Sequence, residues 1–203
     1  MGKRPAAPRS IDPIFEDVFQ KVYGLPGWRV SPGWGSFLTF EFGTPHLEIR
    51  EPITPKGNIS EKVRRDLARR AVRINGEWHL WINCCNWKVF AKRKLIGEST
   101  SRRSYQTAAD FLDGQKLTRV SIHPQGVRSV FEFDLGGRLE TRPYDAGSEQ
   151  WMFFDRSRRK VLTLRADGRY SYHDSDRPRG EETWKPVQVP VSSTTENGYL
   201  SMS

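Results

Sequence analysis

The stretch LTFEFGTPHLEIREP, which begins at Leu38, is written a second time with small changes as SVFEFDLGGRLETRP, which begins at Ser129. Matches run in order along both halves: Arg29-Val30-Ser31 with Arg119-Val120-Ser121, Phe40-Glu41-Phe42 with Phe131-Glu132-Phe133, Leu47-Glu48 with Leu139-Glu140, and Arg50 with Arg142. Further on the offset shortens, and Trp78 aligns with Trp151, Lys88-Val89 with Lys160-Val161 and Gly97 with Gly168. The pattern is an internal duplication whose first copy carries an added segment, roughly residues 53–75. Each copy alternates with period two between Gly/Pro-rich turns, so each reads as an antiparallel meander. One meander alone has a single apolar face and two open edges. A second copy laid against it buries the face, so the chain is expected to be mainly β, a sandwich or barrel-like pair of meanders related by a pseudo-two-fold axis.

Three helical patterns interrupt the strands. DPIFEDVFQKVYG opens with an Asp cap and a Pro and closes on Gly24, with Ile14, Phe15, Val18, Phe19 and Val22 on one stripe, so an N-terminal helix is expected to lie on the core. SYQTAADFLDG, with Ser104 as cap and Gly114 as stop, predicts a linking helix. Inside the added segment, ISEKVRRDLARRAVRI predicts a basic helix capped by Asn58 or Ser60. The expected organisation is a flexible basic N-terminus over 1–11, the first helix and copy over 12–103, the linking helix and second copy over 104–175, and a disordered tail over 176–203 rich in Pro, Ser, Thr and Gly.

The 33 basic residues against 24 acidic ones give a net charge of +9, which favours nucleic acid, anionic lipid or an acidic protein as partner. No window approaches the roughly 18 apolar residues of a bilayer span, so no membrane partner and a cytoplasmic location are expected. The two cysteines form one dipeptide and build no disulfide framework, which agrees with a reducing compartment. Aromatic residues make up 12% of the chain, seven of them Trp, and predict an aromatic-rich core.

Candidate chemistry is sparse. Pairing across the GTP turn sets Glu41 opposite Glu48, and the same arithmetic sets Glu132 opposite Glu140. Two acid pairs suit general acid and base work, but Arg50 and Arg142 share their face, and a repeated surface ion-pair ladder is the simpler reading. Cys84 and Cys85, as neighbours in a strand, point to opposite faces and offer no zinc spacing with His46, His79, His123 or His173; no metal or cofactor is expected. Cys85 reads as a small apolar core residue, with a nucleophilic cysteine partnered by His79 as the chemical alternative. Gly136-Gly137 is a hairpin turn, and no phosphate-loop, dinucleotide or nucleophile-elbow motif occurs.

The predicted insertion helix is the stronger candidate. Val63, Leu67 and Ala71 form a narrow apolar wedge, while Lys62, Arg65, Arg69 and Arg73 line the other side, flanked by Arg64 and Arg70. A solvated face is the default for such a stripe; a binding surface is the functional reading, since Glu61 and Asp66 balance few of these cations. Further basic clusters, Lys92-Arg93-Lys94 with Arg102-Arg103, and Arg156 with Arg158, Arg159 and Lys160, fall at predicted turns.

The second half, LDGQKLTRVSIHPQGVRSVFEFDLGGRLETRPY with EQWMFF and VLTLRADGRYS, resembles small β-rich bacterial proteins, some of them in immunity-protein-like families. Leu112, Gly114, Leu117, Val120, Phe131, Phe133, Gly136, Leu139, Trp151, Asp167 and Gly168 carry the resemblance, which implies a fold and a bacterial setting and no reaction. The expected function is non-enzymatic binding to an acidic protein, in an immunity, defence-accessory or regulatory role. The alternatives are nucleic-acid binding by the basic helix over 60–73, and an enzyme using the Glu or Cys-His groups.

Overall fold

The computed structural model describes residues 13–55, 57–123 and 127–188. Helix α1 spans Pro13–Phe19 and is followed by β1 (Trp28–Pro32), β2 (Leu38–Phe42) and β3 (His46–Arg50). Helix α2 (Glu61–Leu67) leads to β4 (Ala71–Asn75), β5 (Trp78–Ile82), β6 (Cys85–Ala91) and β7 (Lys94–Glu98). A single 3-10 turn precedes α3 (Tyr105–Leu112), and β8 (Leu117–His123), β9 (Arg128–Phe133) and β10 (Gly137–Pro143) come next. The chain then forms β11 (Glu149–Asp155), β12 (Lys160–Arg165), β13 (Arg169–Asp174) and the short β14 (Lys185–Pro186). All pairings are antiparallel, in a seven-stranded sheet β1-β2-β5-β11-β12-β13-β14, a five-stranded sheet β7-β6-β10-β9-β8, and a separate ribbon β3-β4.

With the ribbon set aside, the duplication is plain in the topology. Each copy supplies a helix, a three-stranded meander in one sheet, and then strands in the other sheet. The first copy runs α1, β1-β2-β5, then β6-β7; the second runs α3, β8-β9-β10, then β11-β12-β13. Each sheet is therefore shared between copies, which meet where β5 pairs with β11 and β10 with β6. The inner faces close one core. Phe40, Phe42, Leu80, Ile82, Phe153 and Leu162 of the larger sheet meet Val89, Phe131, Phe133 and Leu139 of the smaller, all buried. The Phe40 ring stacks on Phe133 at 6.0 Å across the interface. Helix α1 buries Phe15, Val18 and Phe19, and the Phe19 ring touches Phe131, Trp151 and Phe153.

The pseudo-two-fold is written in reciprocal hydrogen bonds at its axis. The Gly24 amide donates to the Leu117 carbonyl (2.8 Å) and the Gly114 amide to the Gly27 carbonyl (2.7 Å). The Gly27 amide donates to the Gln115 carbonyl (2.9 Å) and the Leu117 amide to the Leu25 carbonyl (3.1 Å). Each residue lies 90 positions from its counterpart. Gly24 and Gly114 sit at φ +83° and +82°, the left-handed conformation that lets the chain leave each helix and enter this crossing.

Several expectations need correction. β2 and β3 do not form a hairpin across Gly43-Thr44-Pro45: β2 pairs with β5, where Phe42 opposes Trp78, and β3 pairs with β4, where His46 opposes Asn75. Pairing with β5 surrounds Leu80 by Phe40 on one side and Phe153 on the other, as Leu139 lies between Phe131 and Val89. β5 is thus the counterpart of β10, and Trp87, not Trp78, is the counterpart of Trp151; Trp87 and Trp151 are the two fully buried indoles. The added segment is longer than expected and interrupts the β2-β5 hairpin over residues 43–77. The tail expected to be disordered from 176 is ordered to 188, where β14 pairs with β13 and Val187 is buried. Residues 1–11 and 189–203 lie outside the described residues.

Candidate functional site

HLEIR and AVRIN alternate in the same way, and their register places Leu47 opposite Ile74 and Ile49 opposite Val72 on one face of the ribbon, with Glu48 opposite Arg73 on the other. Between these strands α2 forms the tip of the arm. The Ser60 hydroxyl accepts the Val63 amide at 3.3 Å as its N-cap, and no residue of the helix is buried. The helix ends at Leu67 because its last carbonyls are taken from outside. The Arg50 guanidinium donates to the carbonyls of Asp66 (2.8 Å), Leu67 (3.1 Å) and Arg69 (3.2 Å), and the Ile53 amide donates to that of Leu67 (2.9 Å).

The single helix expected over residues 60–73 is therefore corrected to seven helical residues, a turn and a strand. The β-branched alternation of Ala71-Val72-Arg73-Ile74 pairs with β3, and the ladder outweighs the helical reading of the same residues. Arg73 lies on β4, Arg69 and Arg70 lie in the turn, and the straight row of Arg65, Arg69 and Arg73 does not form. Val63 is exposed, so the wedge packs on no core.

Half of the six predicted cations are paired at the surface: Arg64 with Glu61 (3.9 Å), Arg69 with Asp66 (3.7 Å) and Arg70 with Glu51 (2.8 Å). Such exposed pairs contribute little. Among the described residues no carboxylate is within ion-pair distance of Lys62, Arg65 or Arg73; the Glu48 carboxylate accepts from Asn75 instead. Residues 46–75 carry eight Lys and Arg against four Asp and Glu, so the arm as a whole is positive.

A polar cluster around the buried Glu41, with His79 and Arg156 half-buried beside it, fixes the base of the arm. Glu41 opposes His79, not Glu48. His79 Nδ1 donates to Glu41 Oε1 (2.8 Å), and Arg156 donates to Glu41 Oε2 (2.7 Å) and to the Gly76 carbonyl (2.8 Å). The Gly76 amide donates to Glu41 Oε2 at 2.9 Å. Burial pushes the Glu41 carboxyl up, but the hydrogen bonds from His79, Arg156 and Gly76 together hold it down at about 2. A Cβ on Gly76 would lie 2.3 Å from the Phe42 carbonyl oxygen, so only glycine fits where β4 turns into β5. Arg29 reaches up from β1 to the Ile74 carbonyl.

The remaining candidates carry less. Glu132 opposes Arg138 and Arg119, while Glu140 opposes Lys88 and Val130, so neither expected acid pair forms; Arg138 and Glu140 pair at 2.9 Å. Cys84 is exposed in the bend before β6 and Cys85 is buried at the start of that strand, where burial pushes its thiol up, away from a reactive thiolate. Among the described residues no hydrogen bond joins a cysteine to a histidine, and no three His, Cys, Asp or Glu are grouped to hold a metal. Of the turn cluster, Arg156 belongs to the Glu41 site, Arg159 pairs with Asp176 and Lys160 with Asp174. Lys92, Arg93, Lys94, Arg102 and Arg103 are exposed.

Sequence reasoning also missed a cleft of about 360 Å³ between the outer face of the larger sheet and the segment leading to β14, lined by Trp81, Met152, Phe154, Thr163, His173 and Trp184. The signal for it was Trp184, the one large apolar residue in the polar stretch 174–186. Among the described residues no helix is long and apolar enough to cross a membrane. Compared with protein-family models, with curated proteins and with solved structures, the chain finds no match.

Proposed function

We propose that this chain is a non-enzymatic binding protein whose contact element is the β3-α2-β4 arm and whose partner is an acidic protein surface. The observation that carries the reading is that, among the described residues, Lys62, Arg65 and Arg73 have no carboxylate partner, on an element that the core does not need. The second copy completes its meander with no counterpart to residues 43–77, so this addition serves something other than folding. Arginine offers planar paired donors to carboxylates, and three unpaired cations on one projection are well suited to an acidic face. An immunity, defence-accessory or regulatory role is the kind of task such a surface suits, since each works by occupying a partner. With both thiols free, the proposal sets the protein in a reducing cytoplasm.

The test is a triple variant, Lys62→Glu, Arg65→Glu and Arg73→Glu, which stays folded because all three side chains are exposed. Pull-down from the native host is expected to lose one specific complex while retention on heparin and duplex DNA is unchanged. A fall of about three units in the salt slope of DNA binding, roughly one per lost phosphate contact, would replace the acidic protein by nucleic acid. Profiles identical to the parent would remove the arm from consideration.

A further inference from the structure

The outer face of the larger sheet carries rings that the core does not use. Alternation along β5 and β11 turns Leu80 and Phe153 inward and Trp81, Met152 and Phe154 outward, with Trp81 opposite Met152. The segment between β13 and β14 passes over this face without closing on it. Its own turns pin it: the Arg177 amide donates to the Asp174 carbonyl (3.1 Å), the Glu181 amide to the Pro178 carbonyl (3.2 Å), and the Val187 amide to the Gly168 carbonyl (2.9 Å). Trp184 is half-buried in this segment, with the Arg165 guanidinium 4.5 Å from the centre of its ring, and Arg165 is itself paired with Asp167. Between segment and sheet lies the cleft of about 360 Å³, and a second recess of about 500 Å³ adjoins it; Asn83, Glu149, Arg179, Glu182 and Trp184 line both. Volumes of this size are those of small-ligand sites. A segment that served only to cover the sheet would pack down on Trp81, Met152 and Phe154, which instead stay half-exposed.

We infer that this cleft binds a neutral saccharide, with sugar rings laid on Trp81, Phe154 and Trp184 and hydroxyls held by Asn83, Glu149 and Arg179. Asn83 is only 8% exposed, and while its Oδ1 accepts from Cys84 at 3.4 Å, its amide nitrogen donates no hydrogen bond among the described residues. Its donors are therefore left for what enters the cleft. The side chains of Glu149 and Arg179 likewise make no hydrogen bond or ion pair among the described residues. Charge narrows the ligand. Two carboxylates, Glu149 and Glu182, balance two guanidiniums, Arg165 and Arg179, in a chain whose net charge is +9. A phosphate-bearing ligand would meet both carboxylates and one free guanidinium, since Arg165 is held by Asp167. A hydrocarbon chain would bury Asn83, Glu149 and Arg179 unpaired. A pyranose satisfies both requirements: its C–H groups carry a slight positive charge that suits the negative face of an aromatic ring, and each hydroxyl both donates and accepts. The inference goes beyond the acidic-protein reading and uses none of the arm's residues.

An array of neutral oligosaccharides, followed by titration of the retained ones into the full chain with the indole N–H signals observed by NMR, tests it. At least one neutral glycan is expected to be retained, and to shift the indole signals of Trp81 and Trp184 while leaving those of the buried Trp87 and Trp151 in place. Trp184→Ala and Arg179→Ala are each expected to weaken that binding about tenfold or more. Arg179 is exposed, so its variant keeps the parent's thermal melt, and unchanged Trp87 and Trp151 signals show that Trp184→Ala is folded. Lys62→Glu with Arg65→Glu and Arg73→Glu is expected to bind the glycan like the wild type even where it loses the acidic partner. An array that retains no neutral glycan, with no indole shift at millimolar saccharide, overturns the inference, as does binding that survives both single variants. Adenosine or laurate shifting Trp81 and Trp184 where no saccharide does would assign the cleft to a heterocycle or a lipid chain and equally overturn it.

Discussion

The Val30 amide donates to Asp113 Oδ1 at 2.8 Å, tying the first strand of one copy to the end of the helix that opens the other. Ninety residues along, the Val120 amide donates to the Tyr23 hydroxyl at 3.1 Å, so the same junction is made twice by different side chains. The Tyr23 hydroxyl is buried enough that its pKa is pushed up to about 12. Asp113→Ala leaves the Val30 amide without its acceptor and is expected to lower stability by about 1–2 kcal/mol, and Tyr23→Phe is expected to do the same for Val120. Urea melts of both single variants check this; a change in neither would mean that water replaces both acceptors.

Phe133 is nearly fully buried and stacks on Phe40, so it bridges the sheets at their centre. Phe133→Ala is expected to cost roughly 3–5 kcal/mol, a large share of the roughly 5–15 kcal/mol available to a domain. Denaturant melts with a loss below about 1 kcal/mol would show that the sheets do not depend on this contact.

The Glu41 cluster sets a pH dependence. Its carboxyl ionises at about 2 in the fold against an ordinary value of 4.5, so between those values the unfolded chain binds the extra proton. The contribution is present in full above about pH 4.5 and is lost as pH falls toward 2. Glu41→Gln is expected to be less stable than the parent at neutral pH, with the gap closing across that window. A gap that stays constant down to pH 2 would mean that the ionised carboxylate is not what holds His79 and Arg156.

Arg50 holds three carbonyls at the junction of α2 with the strands of the arm. Arg50→Lys supplies one ammonium where a planar fork spanned several acceptors. Amide exchange and proteolysis over residues 57–70 are expected to quicken, while the global melt stays within about 0.5 kcal/mol because the arm lies outside the core. A large loss of global stability would show that the arm folds with the sandwich as one unit.

Period-two alternation was enough to place Phe40, Phe42, Phe131 and Phe133 in the core, and the Gly24 and Gly114 stops were legible because each acts within one turn of chain, while the cap of α2 was legible only as Asn58 or Ser60 and is Ser60. The duplication was legible too, since it is a property of the written order of residues. The partner of β2 was not. HLEIR and WHLWI both alternate and both lie within reach, and the choice of the second rests on Phe153 packing beside Leu80, a contact spanning 73 positions. In the same way Arg73 left the helix for a strand because β3 was waiting with a matching register, and Arg50 closed the helix behind it. Glu41, His79 and Arg156 come together across as many as 115 positions, although each has an unremarkable local sequence. Local pattern decides which face of a segment is apolar; which other segment covers that face is decided by the whole set of competing pairings at once, and that set exists only in the folded chain.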